Sequence, residues 1–220
     1  MFWDFEKYLD LKQQNLLFID VGANKGLWIN EAVNKYPGCV VHAFEPIKGI
    51  TPDYENVIIN NYCIDIVQSK NRLFYITKDN VTSSLLKLND EIIDSFGDYT
   101  DPKGILHKKS DFELHDTICV DTIRLDTYIE DKKINDIHYL KIDAEGNDLN
   151  VFKSLGIYKS IVRGCELEVW NEENTLFNDA NWLDEVLNYM SLENFELVDR
   201  FVHGKGFSSD LLFINRNFIK

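Results

Sequence analysis

Leu16-Leu17-Phe18-Ile19-Asp20-Val21-Gly22-Ala23-Asn24-Lys25-Gly26 is the stretch that decides the fold. Its apolar run reads as a buried strand that ends near an acid and turns through two glycines. A helical segment, Leu27 to Tyr36, follows and stops at Pro37-Gly38. A second apolar run, Cys39-Val40-Val41-His42-Ala43-Phe44, ends on Glu45-Pro46. Strand, glycine turn, helix, strand and terminal acid is the plan of a nucleotide-binding βαβ unit. The glycines let backbone approach a ligand, and the acid is placed to accept hydrogen bonds from ribose hydroxyls. The lettering departs from a dinucleotide fingerprint, because Ala23 and Asn24 fill the middle of the expected G-x-G-x-x-G. Nor does a phosphate-loop Gly-Lys-Ser/Thr follow, since Lys25 precedes Gly26.

Beyond this unit the chain keeps alternating. Residues 2–12 carry Phe2, Phe5, Tyr8 and Leu9 at helical spacing, which predicts a short amphipathic N-terminal helix. Val57-Ile58-Ile59 reads as a third strand. Ile64 to Val67 and Leu73 to Ile76 read as a hairpin about Ser69-Lys70-Asn71. Residues 87–116 are polar and weakly periodic, with one short helix over Leu88 to Phe96. A connection this long predicts an insertion serving as a lid over an acceptor. Asp126 is expected to cap a helix through Tyr128 and Ile129. Ile137 to Ile142 is the next strand, ending at Asp143, and a helix through Leu149 and Phe152 stops at Gly156. Cys165 to Val169 is a strand, Trp182 to Met190 an amphipathic helix, and Phe195 to Val202 with Asp210 to Ile214 a closing antiparallel hairpin. The pattern is α/β over one domain, residues 1–220, with helices on both faces of a mostly parallel sheet.

Composition narrows the partners. The formal net charge is −14, with acids spread along the chain. Duplex nucleic acid is repelled at long range, which argues against it as a substrate. Cys39, Cys63, Cys119 and Cys165 each lie in or beside apolar runs and are expected to be buried, reduced thiols. No apolar run is long enough to span a bilayer, and Met1 leads directly into Phe2-Trp3-Asp4 rather than a signal peptide. A soluble cytoplasmic protein is the expectation.

Ligands in open α/β sheets bind outside the carboxyl ends of the strands. Asp20, Glu45 and Asp143 all sit near such ends. Lys141-Ile142-Asp143-Ala144-Glu145-Gly146-Asn147-Asp148 is therefore the second key motif. Glu166 and Glu168 are two apart on a further strand and share one of its faces. His42 and His138 lie inside strands and are expected to be structural. Asp143, Glu145, Glu166 and Glu168 also form an oxygen-only set that would suit Mg²⁺ or another divalent cation, with Asp143, Glu166 and Glu168 as the candidate ligands.

Taken in order, Phe18 to Gly26, Phe44-Glu45-Pro46, Thr82-Ser83-Ser84-Leu85, Thr122 to Asp126, Lys141 to Gly146 and Glu166-Leu167-Glu168 resemble the FkbM family of methyltransferases. The resemblance implies a seven-stranded class I methyltransferase (Rossmann-like) fold with an antiparallel last strand. It also implies S-adenosylmethionine as methyl donor and O-methylation of a hydroxyl on a sugar, glycan or small natural product. By the same resemblance, Asp20, Gly22, Ala23, Asn24 and Gly26 line the methionine and ribose parts of the donor, and Glu45 takes the ribose hydroxyls. Pro46, Ile47, Cys63, Ile64 and Asp65 lie near the adenine, and Asp143 and Glu145 face the transferring methyl. Two other readings stay open. One is an NAD(P)-dependent oxidoreductase on the same fold, against which the Ala23-Asn24 turn and the lack of a Tyr-x-x-x-Lys pair count. The other is a non-catalytic protein that binds donor or partner without turnover. Acceptor identity and oligomeric state are not legible.

Overall fold

The structure is a computed structural model that describes residues 3–11, 15–49, 54–95, 98–100, 106–173, 175–203 and 206–220. Its spine is a seven-stranded sheet built from β1 (Leu17–Val21), β2 (Val40–Phe44), β3 (Val57–Asn60), β9 (Tyr139–Ile142), β10 (Gly164–Trp170), β11 (Phe195–Val202) and β12 (Ser208–Asn215). Across the sheet they run β11-β12-β10-β9-β1-β2-β3. β12 is antiparallel to both its neighbours, and the β1, β2, β3, β9 and β10 pairings are parallel. From β1 the chain winds outward through β2 to β3, then returns to add β9 on the other side of β1. The strand order therefore reverses between β1 and β9, and Asp20 pairs with Lys141 in register across that reversal.

Both sheet faces are covered, as the near-continuous apolar lettering of β1, β2 and β9 requires. On one face α3 (Leu125–Lys132), α4 (Asp148–Lys153) and α5 (Leu183–Leu192) supply Leu125, Ile129, Leu149, Phe152, Val186 and Met190 to a core with Ile19, Leu140 and Leu167. On the other, α1 (Leu27–Lys35) packs Trp28, Ile29 and Ala32 against Phe18, Val41 and Tyr139. The N-terminal segment completes this second core, but not as the expected helix. Only one 3-10 turn forms, Phe5–Lys7, and Asp4 before it makes no side-chain cap. So short a segment has little helical stability of its own. Its conformation is set by packing instead: Phe5 is fully buried and stacks on Tyr139 at 4.1 Å between ring centroids. Residues 2 and 12 lie outside the described set.

The hairpin read between Ile64 and Ile76 is also corrected. β4 (Cys63–Ile64) pairs parallel with β8 (Leu114–Ile123), and β5 (Ser69–Thr77) pairs antiparallel with the same β8. Ser69, Lys70 and Asn71 belong to β5, where the register shifts between Ser69 and Arg72 and Asn71 takes φ 58°. The result is a second, three-stranded sheet, β4-β8-β5.

Between these strands, the described parts of the 87–116 insertion are α2 (Asp90–Ser95), β6 (Tyr99–Thr100), β7 (Leu106–His107) and a 3-10 turn, Lys109–Phe112. Leu88, Ile93 and Phe112 anchor it on Leu176 and Phe177. The cap of α3 is Arg124, not Asp126. Asp126 lies in the first turn and accepts a hydrogen bond from Arg124 Nε at 3.0 Å. Gly156 opens a 3-10 segment, Gly156–Ile161, rather than only ending α4. Cys39, Cys63 and Cys165 are buried, whereas Cys119 is exposed on β8; all four are free thiols. No helix of the described residues is long and apolar enough to cross a membrane.

Candidate active site

Where the strand order reverses, the ends of β1, β2 and β9 face the three-stranded sheet across a cavity. Val21, Gly22 and Asn24 come from the β1 turn, Glu45, Pro46 and Ile47 from the end of β2, and Asp143, Ala144, Glu145 and Asn147 from the end of β9. Tyr62, Cys63, Ile64 and Phe74 come from the second sheet and its approach, and Asn80, Val81, Ser83 and Leu85 from the turn after β5.

The β1 turn is held by its neighbours. The N–H groups of Gly22 and Ala23 both donate to the carbonyl of Phe44, at 3.0 and 3.1 Å. Gly22 has φ +80°, and a Cβ built there would lie 1.8 Å from the carbonyl oxygen of Asp143. Glycine is required here because the β9 backbone passes against it; the sequence reading had assigned the close approach to a ligand. Glu45 is 5% exposed. Its Oε2 accepts the Asn24 N–H at 2.9 Å and its Oε1 the Ile47 N–H at 2.8 Å. Burial pushes this carboxyl above its ordinary value, against the pull of those two N–H groups. Each oxygen keeps lone-pair capacity for a further donor.

Of the remaining expected donor residues, Asp20, Ala23, Gly26 and Asp65 do not line the cavity. Asp20 is fully buried behind it, with Lys141 Nζ 3.5 Å from its Oδ1. Ala23 faces the α1 core, and Gly26 caps α1 at φ +69°. Asp65 is turned to Arg72 at 3.6 Å, and it accepts from Asn147 Nδ2 at 3.3 Å. It therefore acts on the cavity through Asn147, whose carboxamide it helps fix.

On the opposite wall, Lys141 bridges Asp20 and Asp143, the latter at 3.0 Å. Burial disfavours the Lys141 ammonium, but Asp143, Asp20 and Glu166 outweigh it and keep it firmly protonated. Burial likewise opposes ionisation of Asp143, and the Lys141 charge overrides it, holding that carboxyl below its ordinary value. Glu145 differs. It takes φ 50°, its carbonyl accepts the Ser84 hydroxyl at 2.7 Å, and burial together with the Glu168 and Asp143 charges pushes its carboxyl well up. Two neighbouring carboxyls of opposite tendency are the arrangement from which acid–base chemistry is built.

Of the carboxylates expected to suit Mg²⁺, Glu166 stands apart from the other three. Glu166 accepts the Tyr139 hydroxyl at 2.7 Å. Burial pushes its carboxyl up to about 8. It is Glu145 that joins Asp143 and Glu168, with oxygens within 4.8 Å of one another. We assign no metal ligand here. His42 and His138 are structural, as expected: His42 Nδ1 hydrogen-bonds the Tyr128 hydroxyl at 2.7 Å, and His138 Nδ1 accepts the Leu17 N–H at 3.1 Å.

The sequence reading missed Tyr62, Phe74, Asn80, Val81 and Asn147. Asn147 stood inside the quoted Lys141 to Asp148 motif, and Ser83 and Leu85 inside the quoted Thr82 to Leu85 motif. Those two motifs were the available signal.

An open α/β sheet in this strand order, with its cavity over the strand ends, defines a class I methyltransferase fold. The model of the Methyltransferase FkbM domain matches residues 20–208, and the chain belongs to that family. Among solved structures, the crystal structure of an O-methyltransferase family 2 protein from Planctomyces limnophilus DSM 3776 in complex with apigenin aligns with a TM-score of 0.44 at 9% identity. The alignment covers 94% of this chain and 51% of that one, so the chain spans about half that protein's length. No curated protein matches.

Proposed function

We propose that this methyltransferase uses S-adenosylmethionine and methylates a hydroxyl of a sugar, a glycan or another small molecule. The observation that carries the reading is the cavity itself: Gly22, Asn24 and Glu45 on one wall face Asp143 and Glu145 on the other. When bound, the donor supplies an activated methyl group on a sulfonium leaving group. Glu45 would accept the ribose hydroxyls, with Asn24 and Gly22 along the methionine side. Pro46, Ile47, Cys63 and Ile64 would flank the adenine, joined by Phe74 and Leu85 from the second sheet. Asn147, steadied by Asp65, presents its carboxamide to the same wall.

The chemistry left to the protein is positioning and removal of the acceptor's proton. Positioning alone supplies up to about 7–11 kcal/mol of a barrier. A hydroxyl is a poor nucleophile until a base takes its proton. Glu145 combines a place on the cavity wall with a raised carboxyl, and Asp143, pinned ionised by Lys141, stabilises charge beside it. We assign the base to this pair. Residues 87–116 would form the acceptor lid of a one-domain enzyme that, with its four free thiols, suits the cytoplasm.

Calorimetry with S-adenosylmethionine and NAD tests the donor. Binding of the first without the second is expected; NAD alone would establish the oxidoreductase reading. Release of S-adenosylhomocysteine across a panel of sugars and phenols tests the chemistry. Donor binding without turnover on any member would favour the binding-protein reading.

A further inference from the structure

The cavity walls are lopsided in charge. Among the described residues, Glu45, Asp143 and Glu145 line the cavity, and no Lys or Arg does. Behind them Glu168 closes on Asp143 and Glu145, all within 4.8 Å. The charges that act most strongly on Glu145 are acidic: Glu168 from β10, Asp143 from the end of β9, Asp148 from α4 and Asp79 from the turn after β5. On its other side Glu168 meets His203 and Asp210, all within 4.8 Å, with His203 Nε2 and Asp210 2.9 Å apart. The nearest buried cation, Lys141, is committed to Asp20 and Asp143. Among the described residues, the half-buried carboxylates of this wall outnumber the cations committed to them, and crowded charge of one sign calls for a partner or a proton.

We propose that Asp143, Glu145 and Glu168 form a charge-selective wall that holds a positively charged donor in preference to its neutral product. The inference rests on the donor reading above. Methyl transfer converts a sulfonium to a neutral thioether, so the attraction that holds the donor lapses once the methyl has moved, and the wall favours release of the product. A second consequence follows from the crowding. Burial and mutual repulsion favour the protonated form of Glu145 and Glu168 in the empty site. A cation arriving beside them displaces a proton to solvent, so the base is freed by the donor that needs it. The neutral product displaces none.

Three probes separate charge from shape: S-adenosylmethionine, its product S-adenosylhomocysteine, and sinefungin, which carries an ammonium in place of the sulfonium methyl. Titration calorimetry in buffers of different ionisation enthalpy reads affinity and proton release together. For the unaltered protein, both cationic ligands are expected to bind on the order of tenfold more tightly than S-adenosylhomocysteine, each releasing protons. In Glu145→Gln and Glu168→Gln that preference and the proton release should shrink. Cooperative urea unfolding like that of the unaltered protein would show the variants to be folded. Equal or tighter binding of the neutral product by the unaltered protein overturns the proposal. So does a preference that survives in both folded variants. If all three ligands fail to bind the unaltered protein, the donor reading falls and the selectivity with it.

Discussion

Gly22 shows how one residue serves fold and site together. Its missing side chain admits the Asp143 carbonyl, and Asp143 is in turn drawn to Lys141. Gly22→Ala should therefore cost stability, by roughly 2–3 kcal/mol or more, because strained φ and a backbone clash act together. Urea unfolding checks this, and native-like stability would mean that the β1 and β9 ends separate easily. Glu45 allows a cleaner test of the donor. Glu45→Ala removes the acceptor proposed for ribose and should weaken S-adenosylmethionine by about 1–3 kcal/mol. Unchanged affinity by calorimetry would take Glu45 out of the site. Asp143→Asn keeps the shape of the cavity wall while removing its ionised carboxylate. Turnover should fall about 10²–10⁴-fold with donor binding retained. Equal single-turnover rates at saturating ligands would remove Asp143 from the chemical step. These residues were legible in the sequence because each closes a strand, where a lone acid or glycine interrupts an apolar run. The reason for Gly22 was not legible, since its close neighbour lies 121 positions along the chain.

Among the elements, those set by local pattern were readable and those set by distant pairing were not. The helices α1 and α5 and the closing hairpin follow from period and turn chemistry. The β4-β8-β5 sheet does not, because Cys63 pairs with Thr122 and a nearby hairpin looked equally good on paper. With that sheet went the cavity wall that holds Phe74 and the approach residue Tyr62. The N-terminal segment failed for a related reason: its apolar residues do face inward, but the sheet face shapes the backbone. Phe5 is wedged between Tyr139 and Tyr36, with centroids 4.1 and 5.8 Å away. Phe5→Ala should cost about 3–5 kcal/mol in urea unfolding. Donor affinity, measured below the unfolding transition, should stay as it was, because Phe5 lies on the α1 side of the sheet and does not line the cavity. A loss of donor affinity at full folding would show that the second core transmits strain to the β1 turn.

At the scale of the whole molecule, the excess of acid becomes a dependence of stability on pH. Glu166 is the residue that isolates it. Buried between Tyr139 and the Lys141 charge, its carboxyl is pushed up to about 8, mainly by burial. An unfolded glutamate ionises near its ordinary value of 4.5, so from there to about 8 the folded chain keeps a proton that the unfolded chain has lost. The stability tied to this group is fully present below 4.5, declines as pH rises, and is gone once pH passes about 8. Asp148, pushed up to about 7 by burial and the Asp143 charge, adds a decline of the same sign over a lower window. His42 and His138 work in the opposite sense. Burial lowers both imidazoles, so their contribution is present above the unfolded value of 6.5 and is lost as pH falls through the lowered folded value. A raw stability profile mixes these trends, and a difference between two proteins separates them. Glu166→Gln keeps an acceptor for the Tyr139 hydroxyl and cannot ionise. Its melting temperature relative to the unaltered protein should rise from pH 5 to about pH 8 and level off above that, by several degrees in all, at about 2–4 °C per kcal/mol for a chain of this size. A flat difference would show that Glu166 is ionised throughout that range, with Lys141 as its full counter-charge.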